Sequence, residues 1–162
     1  MRGAPKRPRW RYAMNSYKLQ RIETRIVREP EYNSHLKQVV QSANDAYEIV
    51  KDLQDEAVEK FVVIFLNHRH RVLAAAALFS GGTSESVVDP KLVFKTALDL
   101  GAAAMIIVHN HPSGDPNPSP EDRAVTSKLA SGARFLDMLI LDHLIIGFGK
   151  YFSMADEGIM PN

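Results

Sequence analysis

The sequence predicts an α/β domain with a mixed central sheet and flanking helices. Three observations carry that prediction. Two continuous apolar runs, residues 61–66 and 102–108, are short and partly β-branched, as interior strands covered on both faces are. Before, between and after them lie stretches of helical spacing, each opened by a capping residue (Ser42, Asp89 or Ser119), the last two followed by Pro. The resulting order is helix, hairpin, helix, strand, helix, strands, which suits a sheet with helices on its faces.

Composition bounds the rest. The 162 residues are enough for one domain with a real core, and 45% hydrophobic with 24% charged residues is a globular balance. No segment approaches the roughly 20 apolar residues of a membrane span. The basic N-terminus is not followed by the apolar core of a secretory signal. With no cysteine there is no disulfide framework and no thiolate metal site, which favours a reducing, cytoplasmic setting. Twenty basic residues (Lys and Arg) against 19 acidic ones leave a net charge of +1, so the folded part has no overall positive field to hold nucleic acid.

Residues 1–38 are expected to form a basic arm and lead-in, partly disordered, ahead of a domain over 39–162. Arg2, Lys6, Arg7, Arg9 and Arg11 stand with Pro5 and Pro8 and no acid before residue 13. Such an arm could touch phosphates while Trp10 and Tyr12 stack on bases, though a solvated tail explains the same residues more simply. Tyr17, Leu19, Ile22, Ile26 and Val27 predict an extended lead-in strand, which Glu29-Pro30-Glu31 breaks.

Within the domain, Ser42 caps a helix predicted over 42–55, with Ala46, Ile49, Val50 and Leu53 on one face. Residues 61–66 form the first interior strand. Asn67-His68-Arg69-His70 turns the chain into a hairpin partner over 71–79. His68 and His70 share the His-x-His spacing of a ligand pair, but no carboxylate is fixed beside them, so they are read as turn residues. Gly81-Gly82-Thr83-Ser84 is a loop. Asp89 and Pro90 open a helix with an apolar stripe of Val93, Phe94, Ala97 and Leu98, and Gly101 stops it. A strand over 102–108 and a helix over 119–133 follow, with Val125, Leu129 and Ala130 facing inward. Residues 135–141 and 143–148 read as strand, Gly149-Lys150 as a turn, and 151–153 as a last short strand. His143 is read as a buried, hydrogen-bonded histidine rather than a ligand.

The chemistry concentrates between the second apolar run and the helix after it. His109 and His111 stand one residue apart, so both side chains leave the same face of an extended backbone. A Pro- and Gly-rich turn follows. Ser119 and Pro120 then open a helix whose first turn holds Asp122, able to point back at the imidazoles. Two imidazoles and one carboxylate with an open fourth position are the ligand count of catalytic zinc. Such an ion makes an activated water available near neutral pH, and a carboxylate must take its proton and return it to the leaving group. Glu59, at the mouth of the strand beginning at Phe61, is the expected base, with Glu56 as the fallback. Asp115 and Glu121 flank the site without being aimed at it. Ser119 is expected to cap the helix through its oxygen. That leaves its proton free to support an oxyanion.

These residues resemble a known motif. Glu59, His109-Asn110-His111-Pro112 and Ser119-Pro120-Glu121-Asp122 are similar to the JAMM motif (Glu, His-x-His-Pro, Ser-x-x-Asp) of the JAB/MPN metalloproteases. The run His-Asn-His-Pro-Ser-Gly-Asp-Pro is most similar to the bacterial RadC-like branch. The similarity runs from about residue 43 to 154 and includes Phe65-Leu66-Asn67, Val88-Asp89-Pro90 and Leu141-Asp142-His143. It implies a JAB1/MPN-type fold of the cytidine-deaminase-like kind. It also implies one zinc ion held by His109, His111 and Asp122, with Glu59 as general acid/base and Ser119 near the oxyanion. Eukaryotic relatives of this kind cleave isopeptide bonds to ubiquitin-like tags. Asn67 and Asp89, where relatives often carry Asp and His, lie outside the metal motif. Relatives often carry an N-terminal helix-hairpin-helix region; residues 1–38 lack its Gly-rich hairpins, which removes the main structural reason to expect DNA binding.

The leading expectation is therefore a zinc-dependent metallopeptidase or isopeptidase acting on a peptide or protein. One alternative is a DNA-repair-associated accessory protein that binds nucleic acid through the basic arm. The other is a metal-stabilised interaction module without turnover.

Overall fold

The computed structural model describes residues 38–80 and 88–161. The basic arm, the lead-in strand over 17–27 and the loop at 81–84 lie outside the described residues. In chain order the elements are α1 (Ala43–Val50), a 3-10 turn (Lys51–Asp55), β1 (Lys60–Leu66), β2 (Val72–Ser80), α2 (Pro90–Leu100), β3 (Ala104–Asn110), α3 (Pro120–Phe135), β4 (Leu139–Gly147) and β5 (Lys150–Ser153). They form one five-stranded sheet in the order β2-β1-β3-β4-β5. Only β3 and β4 run parallel, joined by the α3 crossover; the other neighbours are antiparallel. The predicted α/β class with a mixed sheet and flanking helices is the observed one.

The continuous apolar runs are explained by a sheet covered on both faces. Phe61, Val63, Phe65, Met105 and Ile107 pack on one face with Val93 and Ala97 of α2 and Leu129 and Ala133 of α3. Val62, Ile64, Leu66, Ile106, Val108, Leu144 and Ile146 pack on the other with Ala46 of α1, and Leu53 adds to that layer. Alternation is present in the backbone but hidden in the sequence, because each side chain meets apolar cover whichever way it points.

The predicted start and stop of α2 hold, and so does the predicted start of α1. Asp89 accepts from the Lys91 amide, Pro90 is the first helical residue, and Gly101 ends α2 in the left-handed region. Ser42 and Asp45 close a reciprocal capping box at α1. Two boundaries differ from the sequence reading. The helix predicted over 42–55 is α-helical only to Val50 and tightens to 3-10 geometry beyond it. The strand predicted from residue 135 begins at Leu139. Phe135 completes α3 and is 89% exposed, and Asp137, at φ 55°, turns the chain back. From Leu139 one unbroken strand runs through Asp142 and His143 to Gly147.

Candidate metal centre

β3 delivers the histidines. His109 has the parity of Met105 and Ile107, so its ring lies on the α2/α3 face, where it is 1% exposed. His111 follows just beyond the strand. Its amide donates to the Ile146 carbonyl at 2.9 Å, and its Nδ1 lies 2.7 Å from the Asp115 carbonyl. A carbonyl only accepts, so Nδ1 of His111 carries a proton, and in the neutral ring the lone pair is on Nε2. The turn over 112–118 is pressed against the end of β4: a Cβ on Gly147 would meet the Gly114 carbonyl, and one on Gly114, at φ 79°, would meet the Phe148 ring. Glycine at both positions is what lets the turn sit low enough for His111 to face α3.

α3 delivers the carboxylate. The amide of Asp122 donates to Ser119 Oγ at 3.1 Å, while Asp122 Oδ2 accepts from the Ser119 amide at 2.7 Å and the Ser119 hydroxyl at 2.6 Å. The expectation that capping leaves the Ser119 proton free is thus corrected: the carboxylate beside the hydroxyl is a stronger acceptor than any solvent-side partner, and the proton is spent on it. Ser119 therefore acts on Asp122, fixing which way its oxygens point.

The three groups converge. His109 Nε2 lies 2.9 Å from His111 Nε2 and 3.1 Å from Asp122 Oδ1, and His111 Nε2 lies 3.6 Å from Asp122 Oδ2. A tetrahedral ion with ligand bonds of about 2.0–2.1 Å sets its ligand atoms about 3.3–3.4 Å apart, so the observed separations bracket that value. Among the described residues these are the His, Asp or Glu side chains that gather closely enough to hold a metal ion. His68 and His70 stay in their turn at the far end of β1, which Asn67 Oδ1 closes on the Arg69 and Arg71 amides.

Electrostatics agree with a cation-seeking focus. Burial raises the Asp122 carboxyl, yet the imidazoles of His109 and His111 and the Ser119 hydroxyl beside it together hold it well below the usual carboxylate range. The Asp122 hydrogen bond raises His111 against the cost of burial, with help from the Asp115 carbonyl and the charges of Asp122 and Glu59.

Glu59 sits one residue before β1. Phe61 pairs with His109 in the antiparallel β1–β3 register, and Glu59 shares the parity of Phe61. It therefore reaches the ligand end of β3 on the ligand face. Glu59, Phe61, Val88, His111, Ser119 and Asp122 line one pocket of about 620 Å³, whose other wall is α3 from Glu121 to Lys128. Glu56 is tied to Lys60 at 2.6 Å, and the Asp115 side chain to Asn117 at 2.8 Å.

Two residues of the site were not visible as such in the sequence. Asn110, between the histidines, points to the opposite face. Its Oδ1 accepts from the Lys60 amide at 2.8 Å and its amide donates to the Val58 carbonyl at 3.1 Å, so it clamps the segment that carries Glu59. The period-two rule that put the histidines together also assigns Asn110 to the other side. Its partners, some 50 positions earlier in the chain, needed the fold. His143 is buried and hydrogen-bonded as expected, but its partner is His109 itself, at 2.8 Å.

Comparison with known proteins adds to this geometry. The family model described as the RadC-like JAB domain matches residues 40–159. A UPF0758 protein of Methanosarcina mazei is 41% identical over 141 residues, 86% of this chain and 58% of the relative. One from Flavobacterium johnsoniae is 45% identical over 121 residues, 74% of this chain and 53% of the relative. Another, from Shouchella clausii, is 40% identical over 137 residues, covering 84% and 56%. The chain thus spans little more than half the length of the curated relatives it matches. The chain belongs to the RadC-like JAB domain family.

Proposed function

We propose that the domain is a zinc-dependent hydrolase of amide bonds, a metallopeptidase or isopeptidase acting on a peptide or protein. The observation that carries this reading is the convergence of His109 Nε2, His111 Nε2 and an Asp122 carboxylate oxygen at one end of a pocket that also holds Glu59. Those three side chains would hold the ion. When bound, a zinc ion lowers the pKa of a water to about 7 and polarises a carbonyl.

The rest is done by the chain's own groups. The Glu59 carboxylate, on the same face as the ligands, takes a proton from the attacking water and returns it to the departing amine nitrogen. Ser119 holds the Asp122 carboxylate through its amide and hydroxyl. Phe61 and Val88 give the pocket an apolar wall that displaces bulk water from the scissile bond.

The test is hydrolysis of a panel of peptide and isopeptide substrates by the metal-loaded protein. Cleavage should disappear on chelation, return with zinc, and fall by on the order of 10²-fold or more in Glu59→Gln. That variant should keep its metal. Cleavage that persists in both the chelated protein and Glu59→Gln would reject the reading.

A further inference from the structure

We propose that Thr126 and His143 are positioning residues that set the tautomer of His109, so that its Nε2 lone pair is the one turned toward a divalent cation. This rests on the metal-centre reading above and extends it to two buried residues that touch neither substrate nor ion.

Thr126 Oγ1 lies 2.5 Å from the Asp122 backbone carbonyl, and two oxygens so close must share a proton. The carbonyl has none, so the threonine hydroxyl donates it. Its other acceptor within reach, Met154 Sδ at 3.7 Å, is weaker and farther. With its proton spent, Thr126 Oγ1 can only accept from His143 Nδ1, 2.6 Å away. Neither ring nitrogen of His143 meets a carboxylate: the Asp142 oxygens serve the backbone amides of His143 and Ala155 and the hydroxyl of Ser153. A fully buried ring without a counter-anion is neutral and holds one proton, here on Nδ1. Its Nε2 is then a lone pair and must accept from His109 Nδ1 at 2.8 Å. His109, protonated on Nδ1, is left with its lone pair on Nε2, the atom nearest His111 and Asp122.

The relay begins and ends on one residue. Its last acceptor is the main-chain carbonyl of Asp122, whose side chain is the third member of the ligand set. The carboxylate and the imidazole opposite it are therefore held by a single chain of hydrogen bonds through the first turns of α3. Outer partners of this kind fix ring orientation and ligand basicity.

The experiment reads nitrogen-15 resonances of the histidine rings in the chelated protein, in mildly alkaline buffer. The expected result is a neutral His109 ring protonated on Nδ1, with a scalar coupling across the hydrogen bond to His143 Nε2. Thr126→Val keeps the shape of the side chain and removes the acceptor. It should abolish that coupling, move the His109 proton to Nε2 and weaken zinc binding by about tenfold to a hundredfold, while Thr126→Ser restores all three. A wild-type His109 protonated on Nε2 overturns the proposal. So does a Thr126→Val protein with the wild-type tautomer and affinity, whatever its melting temperature. The readouts separate the two readings: a wild-type protein that binds no divalent ion sinks the proposed function, while the ring tautomer is still observed without metal.

Discussion

Asp122 carries two duties at once, and they can be pulled apart by substitution. Its carboxylate completes the capping box of α3 and supplies the only anionic member of the ligand set. Asp122→Asn retains an oxygen for the Ser119 amide and hydroxyl but loses the charge that a dication requires. Zinc affinity should drop by at least about tenfold, with helix stability close to wild type. Asp122→Ala should lose the affinity and, in the chelated protein, about a further 1 kcal/mol from the cap. Isothermal titration with zinc and urea unfolding of both chelated variants read the two effects separately; equal unfolding midpoints for Asn and Ala would show that the cap contributes nothing. These residues were legible in the sequence because each obeys a local rule: period two for His109 and His111, a cap position for Ser119 and the first helical turn for Asp122. What local rules hid was the use of protons. Ser119 and Thr126 hydroxyls both donate to oxygens of Asp122, one to its side chain and one to its main chain, and nothing in residue spacing says so.

Elements bring the proposed base, Glu59, to the face of the candidate ligands. The segment between the 3-10 turn and β1 has no regular hydrogen bonding of its own, and Asn110 supplies what it lacks: partners for the Lys60 amide and for the carbonyls of Val58 and Glu56. Asn110 is 1% exposed, so removing its side chain leaves a buried gap and strips those groups of their partners. Asn110→Ala should cost about 1–3 kcal/mol of stability. Its sharper effect should be on catalysis, because the ligands sit on the other face of β3 and keep their geometry while Glu59 loses its anchor. Zinc affinity should stay near wild type while kcat falls and KM changes little. A parallel loss of zinc would mean that the residue holds β3 rather than the segment before β1. The same comparison shows why element boundaries were harder to read than elements. The apolar run at 135–141 could not reveal that Phe135 ends a helix in solvent, since an exposed phenylalanine and a buried one look alike in sequence. Only the left-handed Asp137, two residues before the strand begins at Leu139, marks the break.

Across the described residues the molecule is a sheet with two apolar layers, and the candidate centre interrupts one of them. On the α2/α3 side the row Met105, Ile107, His109 passes from core to ligand within one strand, and His143 lies inside that same layer. Burial there has a consequence for stability against pH in the chelated protein. Burial pushes the His143 imidazole well below its ordinary value of 6.5. The unfolded chain takes up a proton on this ring below pH 6.5 and the folded chain does not. The contribution is therefore fully present above pH 6.5 and is lost as pH falls, at up to about 1.4 kcal/mol per pH unit. His111 acts in the adjoining window with the opposite sign: its imidazole is raised, so its contribution is present below 6.5 and fades as pH climbs through its folded value. Asp142 is raised by burial and also opposes the trend, just above the carboxylate range, but it is common to wild type and variant and drops out of their difference. His143→Gln keeps a polar group between His109 and Thr126 and cannot titrate. Urea unfolding of the chelated proteins between pH 5 and pH 6.5 should give wild type the steeper loss, by about 1 kcal/mol or more per unit. Parallel curves would mean that His143 is protonated in the folded interior, where no carboxylate is at hand to hold the charge.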